Sequence, residues 1–164
     1  MNDMIILAFK CQRTRIGTFF ISTVPGFEGL GGDTAARWHW ASHNATMGSA
    51  SDQIGAQGYL RQIYKWINDN VVYDLVSKME SVVEVNGKTM LDNSMVQLST
   101  ASCDGPHQSH NMPVVLFGSA GGALKTGLNG DYQNRNITAN FQTGLLFNQY
   151  LVTAMQGDGF KRER

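Results

Sequence analysis

The chain has 164 residues, enough for one domain with a real core, and its 42% apolar content excludes an intrinsically disordered polypeptide. Thirteen basic residues balance thirteen acidic ones, so no basic excess points to nucleic acid, and zero net charge favours self-association. Charged residues are only 16%, below the roughly 25% of an average soluble domain. With 18 glycines, that shortfall suggests a loop-rich protein or one that packs against further polypeptide.

From the N-terminus, Met1 to Cys11 is mostly apolar and reads as a helix. Ile16 to Thr23 is rich in β-branched and aromatic residues and reads as a strand, ended by Pro25. Gly26 to Asp33 holds four glycines in eight residues and reads as loop. The window Trp38-His39-Trp40-Ala41-Ser42-His43-Asn44 is expected to continue that irregular stretch. A long helix is expected from about Asp52, capped by Ser51 or Asp52. Leu60, Ile63, Tyr64, Ile67, Val71, Leu75 and Met79 recur at three- and four-residue steps along it. Asn86-Gly87 is a turn signal. Ser94 to Ser99 alternates like a strand, and Pro113 to Phe117 reads as a strand covered on both faces. Gly118 to Gly130 is a glycine-rich loop, Asn140 to Met155 returns to helical spacing, and residues 161–164 form a charged tail.

Helix and strand patterns in this order predict a single α/β domain over residues 1–160, a layered fold with a mainly parallel sheet flanked by helices. In such sheets ligands lie beyond the carboxyl ends of the strands. Parallel strands would bring the segments that follow them to one edge. No segment approaches the ~20 apolar residues that span a bilayer. Cys11 and Cys103 are too few for a disulfide framework. They pair across the fold, or both are reduced and buried.

All four histidines fall in two short windows. His39 and His43 are four residues apart, a spacing that puts both imidazoles on one face of a helix but not of an extended loop. Asp104, His107 and His110 follow the Ser94 to Ser99 strand, with Gly105-Pro106 fixing a turn. Imidazole nitrogen with carboxylate oxygen suits a divalent metal, Zn²⁺ or Mn²⁺. Each window also has a plain alternative, as hydrogen-bonding loop residues or a solvated turn. Ser42 lacks the Gly-x-Ser-x-Gly elbow of a serine nucleophile and reads as a group orienting a histidine or the backbone. The Gly118 to Thr126 segment fits neither a Walker A loop nor a dinucleotide fingerprint. Its backbone amides would cradle an anion or simply turn the chain. Lys10, Arg13 and Arg15 read as a solvated basic face.

Several motifs together resemble the bacterial HXXSHH family, a domain of unknown function grouped with alkaline-phosphatase-like proteins. They are Leu7-Ala8-Phe9-Lys10-Cys11 with Thr14-Arg15, His39-Trp40-Ala41-Ser42-His43, Leu91-Asp92-Asn93-Ser94, Asp104-Gly105-Pro106-His107, Asn111 to Gly118, and Gly121 to Gly127. The resemblance covers nearly the whole chain. It implies an alkaline-phosphatase-like fold, an exported (periplasmic or secreted) location, and metal-dependent hydrolysis of phosphate or sulfate esters. The implied ligands are His39, His43, Asp104, His107 and His110, with His110 as ligand or proton donor. Alkaline-phosphatase-like sites hold one zinc with an Asp and a His four residues apart, so the resemblance sets His39 in the place of that Asp. Two departures stand out. Asn44 replaces the last histidine of the family motif, and family members are longer, so the chain resembles their C-terminal part. Those differences imply either an incomplete half of an enzyme or a non-catalytic exported binding or structural protein.

Overall fold

The computed structural model describes residues 1–21, 34–47, 49–100 and 112–128. These fall into two compact units, Met1–Lys78 and a second that begins at Met79. The expected second histidine window, the helix from Asn140 and the tail at 161–164 lie outside the described residues, as does the Gly26 to Asp33 loop.

The first unit is helical. Helix α1 spans Asn2–Lys10, with Asp3 in its first turn and Lys10 in its last, the charge order that complements a helix dipole. After it, Thr14 decides the local structure. Its hydroxyl donates to the Ile16 carbonyl at 2.7 Å and accepts the Ile16 N–H at 3.2 Å. Both backbone groups of Ile16 are thereby engaged locally, which competes with strand pairing. Residues 16–21 are accordingly not a strand, contrary to the expectation from their β-branched and aromatic content. Cys11 is exposed rather than buried, and Cys103 lies outside the described residues.

Helix α2 spans Thr34–Met47 and α3 spans Ala50–Ile67. The first histidine window is therefore helical, not irregular. Trp38 meets Tyr64 edge-on with ring centroids 6.1 Å apart, and the Gln57 amide donates to the Ala45 carbonyl at 3.1 Å. Residue numbers in both pairs sum to the same value, so α2 and α3 run antiparallel as a helical hairpin. Ser49 caps α3, not Ser51 or Asp52. Its hydroxyl accepts the Asp52 N–H at 3.3 Å and donates to the Asp52 carboxylate.

The long helical pattern is present and has one irregularity. Ile63, Ile67, Leu75 and Met79 are buried and Val71 is half-buried. Steps of four residues overshoot a 3.6-residue turn by about 40° each, so a straight α-helix would rotate Met79 about 160° away from Ile63. The chain instead makes a π-helical turn at Asn68–Val72, closed by the Tyr73 N–H on the Asn68 carbonyl. One wide turn recovers about 100° of that drift and keeps the apolar side chains nearer one stripe. Helix α4 then continues over Tyr73–Ser81.

Ile63 and Ile67 form the core of this unit, with Ile21, Trp38, Tyr59, Trp66 and Val72 packed against them. Helix α1 is fastened separately. The buried Asn2 amide donates to the Val71 carbonyl and the Asp74 carboxylate, each at 2.9 Å. Lys78 reaches Asp3 at 2.7 Å and Asp74 at 2.9 Å. The Lys78 ammonium, then the Asn2 amide, hold the Asp74 carboxyl below its ordinary range. Asp3, then Asp74, hold the Lys78 ammonium above its ordinary range.

A depressed carboxyl pKa stabilises the fold above the unfolded value of about 3.9, and that contribution fades as pH falls through the lower folded value. A raised lysine pKa stabilises below about 10.4 and fades as pH rises through the higher folded value. Hydrogen exchange of the α1 amides is thus expected to be slowest between about pH 4 and 10, after correction for intrinsic rates. Lys78→Ala should flatten that dependence at both ends. A profile identical in the wild type and the variant would show that these ion pairs do not fasten α1.

The second unit contains two short strands, β1 over Val96–Ser99 and β2 over Val114–Phe117. They pair antiparallel, Val96 opposite Phe117 and Ser99 opposite Val114. The expected parallel sheet flanked by helices is therefore overturned, since the described residues are mainly helical and their one sheet is this two-stranded antiparallel ribbon. The cause lies after β2. The Ala120 N–H donates to the Ser94 carbonyl at 2.9 Å, the Gly121 N–H to the Asp92 carbonyl at 2.7 Å, and the Ser119 hydroxyl to Asp92 O at 2.8 Å. These bonds draw the end of β2 to the start of β1, which only antiparallel pairing allows. Val115 is 46% exposed, so β2 is not covered on both faces.

Before β1, the expected Asn86-Gly87 turn is present. Gly87 takes φ +76°, and the Lys88 N–H donates to the Asn86 side chain at 3.0 Å. Asp92 then accepts the Thr89 N–H at 3.0 Å and the Thr89 hydroxyl at 2.8 Å, bonds that hold its carboxyl below the ordinary range. The Asn93 amide bonds Glu84 and Asn86. Leu91-Asp92-Asn93-Ser94 thus serves as a structural knot to which the post-β2 loop is tied.

Candidate metal centre on helix α2

Helix α2 turns Trp38, Ala41 and Ala45 toward one side by their three- and four-residue spacing. Ala41 has no exposed surface, and Trp38 packs on the Ile63 and Ile67 core. That orientation leaves His39 exposed and His43 half-buried, one turn apart. Their Nε2 atoms stand 3.1 Å from each other, with ring centroids 4.6 Å apart and planes inclined at 64°. That distance is within hydrogen-bond reach, with the donor set by the ring tautomers.

The same separation suits a shared metal ion. With Zn–N bonds of 2.0–2.1 Å, two ligand nitrogens lie about 3.3 Å apart at a tetrahedral angle and about 2.9 Å apart at a right angle. The observed spacing falls between these. Shared coordination would require both Nε2 atoms unprotonated with their lone pairs aimed at one point. Four-residue spacing brings the two rings together because the segment is helical rather than irregular as expected.

Neighbouring side chains are engaged elsewhere. Ser42 donates its hydroxyl to the His39 backbone carbonyl at 2.7 Å. A carbonyl is not a general base, so this bond does not activate a nucleophile; it braces the backbone that carries His39. Asn44 donates its amide to the Trp40 carbonyl at 2.9 Å. The Asn44 side chain is thus turned to the helix's own backbone.

The other candidate ligands, Asp104, His107 and His110, lie outside the described residues. Among the described residues no group of three or more His, Cys, Asp or Glu gathers around one point. The described strands are antiparallel, so they do not deliver the segments that follow them to a common sheet edge. His39 and His43 ride on α2 rather than following a strand.

The glycine-rich segment after β2 is a turn, not an anion cradle. The N–H groups of Ala120, Gly121, Gly122, Ala123 and Leu124 all donate to backbone carbonyls. Lys10, Arg13 and Arg15 are exposed, as a solvated face requires.

No family model, curated protein or solved structure matches the chain. No described helix is long and apolar enough to cross a membrane.

Proposed function

We infer that this chain binds a divalent transition-metal ion through His39 and His43, as part of a metal-dependent hydrolase of phosphate or sulfate esters. The single observation that carries the metal site is the 3.1 Å separation of the two Nε2 atoms on one helical face. Imidazole pairs favour Zn²⁺ over Mn²⁺, which prefers oxygen ligands. Asp104, His107 and His110 are proposed to complete the coordination, and their chemistry fits the same ion. A bound ion of this kind polarises an ester and lowers the pKa of a coordinated water. The ester substrate, the exported location and the kinship with longer HXXSHH proteins are proposals supported by the motif resemblance.

The test is calorimetric titration of ZnCl₂ into metal-free protein. One ion per chain is expected. His39→Ala and His43→Ala should each weaken binding by more than about 10-fold, since each removes a ligand rather than a supporting group. At a zinc concentration of 100 times Kd the melting temperature should rise by about 5–10 °C. Absence of binding, or equal binding by wild type and both variants, would remove the proposal. His107→Ala measures whether the second window shares the ion.

A second reading, a non-catalytic binding protein, has its own support. Met4, Leu7, Ile16 and Phe20 are all more than 60% exposed in the first unit. Apolar side chains left open in this number suit contact with a partner or a second copy. Light scattering that finds a monomer, together with zinc-dependent esterase activity, would remove this reading.

A further inference from the structure

Helix α2 is poorly provided with the features that stabilise a helix by itself. Its first turn has no acidic residue and includes Arg37, and its last turn has no basic residue, so its charges do not complement the helix dipole. Trp38, His39, Trp40, Ser42, His43, Asn44 and Thr46 all belong to the weaker helix formers. Ser42 and Asn44 donate back to carbonyls three and four residues earlier, a pattern that favours local bends over straight helix. Fourteen residues of such composition would not hold a helix alone in water. What holds α2 is contact with α3, at Trp38 on Tyr64 and Gln57 on the Ala45 carbonyl.

The chelating geometry exists only while the helix does. In extended chain, residues four apart are separated by about 13 Å, too far for two imidazoles to grip one ion. An ion that binds the helical state and not the opened one stabilises the helical state by mass action. On the metal-binding reading above, we propose that metal occupancy at His39 and His43 and helix formation in α2 are a single coupled equilibrium. The ion is then a staple across one turn as well as a reagent. Loss of the ion loosens α2 and the surface it presents.

Hydrogen exchange on the full chain tests this, with ZnCl₂ as the probe and Kd taken from the titration. In the regime where opening is fast and reversible, protection of amides freed by opening α2 grows as 1 + [Zn²⁺]/Kd. At 100 times Kd the amides of residues 42–47 should exchange about 100-fold more slowly, and a chelator should restore the original rate. The amide of Gly87, bonded to the Glu84 carbonyl in a turn distant in sequence from α2, should keep its rate. His39→Ala and His43→Ala should show no zinc effect on α2. Both variants place a strong helix former in the helix, so neither is expected to unfold it. If zinc binds His39 and His43 but the α2 amides exchange at unchanged rates, the coupling is wrong and the metal site stands. If zinc does not bind at all, the site and the coupling fall together.

Discussion

Gly118→Ala is expected to destabilise the second unit by about 3 kcal/mol or more, or to prevent it from folding. Gly118 has φ +82°, which disfavours any side chain. The larger penalty is steric. A Cβ at this position would stand 2.5 Å from the Leu91 carbonyl oxygen and closer still to that of Ser94. Both obstacles are backbone: Ser94 O accepts the Ala120 N–H and Leu91 O accepts the Ser94 N–H, so withdrawal breaks either the tie to the post-β2 loop or a bond within the Leu91 to Ser94 knot. Gly121 and Gly122 provide the contrast. They share the positive φ, at 72° and 104°, but an added Cβ meets nothing within 4 Å. Alanine there should cost about 1 kcal/mol, the conformational penalty alone. Urea unfolding of the three variants measures the difference, and equal midpoints for Gly118→Ala and Gly121→Ala would refute the steric account.

Ile63→Ala should cost about 2–5 kcal/mol, the range for removing a buried branched side chain and leaving a cavity. Ile63 is 1% exposed and lies among Ile67, Ile21, Trp38, Tyr59, Trp66 and Val72. Ile54→Ala is the matched control on the same helix, because Ile54 is 75% exposed and its loss should stay within about 0.5 kcal/mol. The core variant also bears on the metal site. Trp38 rests on the Ile63 core and precedes His39, so a collapse into the vacated volume shifts the turn that carries the imidazoles. Zinc binding by Ile63→Ala should therefore weaken even though no ligand is touched. Unchanged stability would show that α3 does not hold the hairpin through this residue.

Parts of this architecture are readable from the chain, and the reasons for the rest are specific. The long helix is legible because its apolar residues repeat at fixed steps. Even the π-helical turn is foreshadowed by the run Ile63, Ile67, Val71, Leu75, Met79, whose strict four-residue interval fits no straight α-helix. Helix α2 is not legible by composition, because a glycine-rich stretch precedes it and its residues are weak helix formers. Its signal is the interval joining Trp38, Ala41 and Ala45, and the contacts on Tyr64 and Gln57 give that interval its meaning.

Both strands are legible as segments, but their direction is not. Direction depends on which loop atoms meet after Gly118, a matter of distant backbone carbonyls. The strand expected from Ile16 fails through one hydroxyl, that of Thr14. As to the site, the pairing of His39 with His43 is visible in the spacing. Convergence of their nitrogens follows only once the segment is known to be helical.

The wide turn at Asn68–Val72 also sets how the chain tolerates a change in length. Omitting one residue there would let the two flanking helices fuse into a regular spiral while α4 keeps its orientation, because the rotation lost, about 100°, is the amount the wide turn already absorbs. Asp74 would still face Asn2, and the fastening of the N-terminal segment would survive the loss. At this point the polypeptide holds one residue more than its helical path requires, and a deletion is expected to be tolerated.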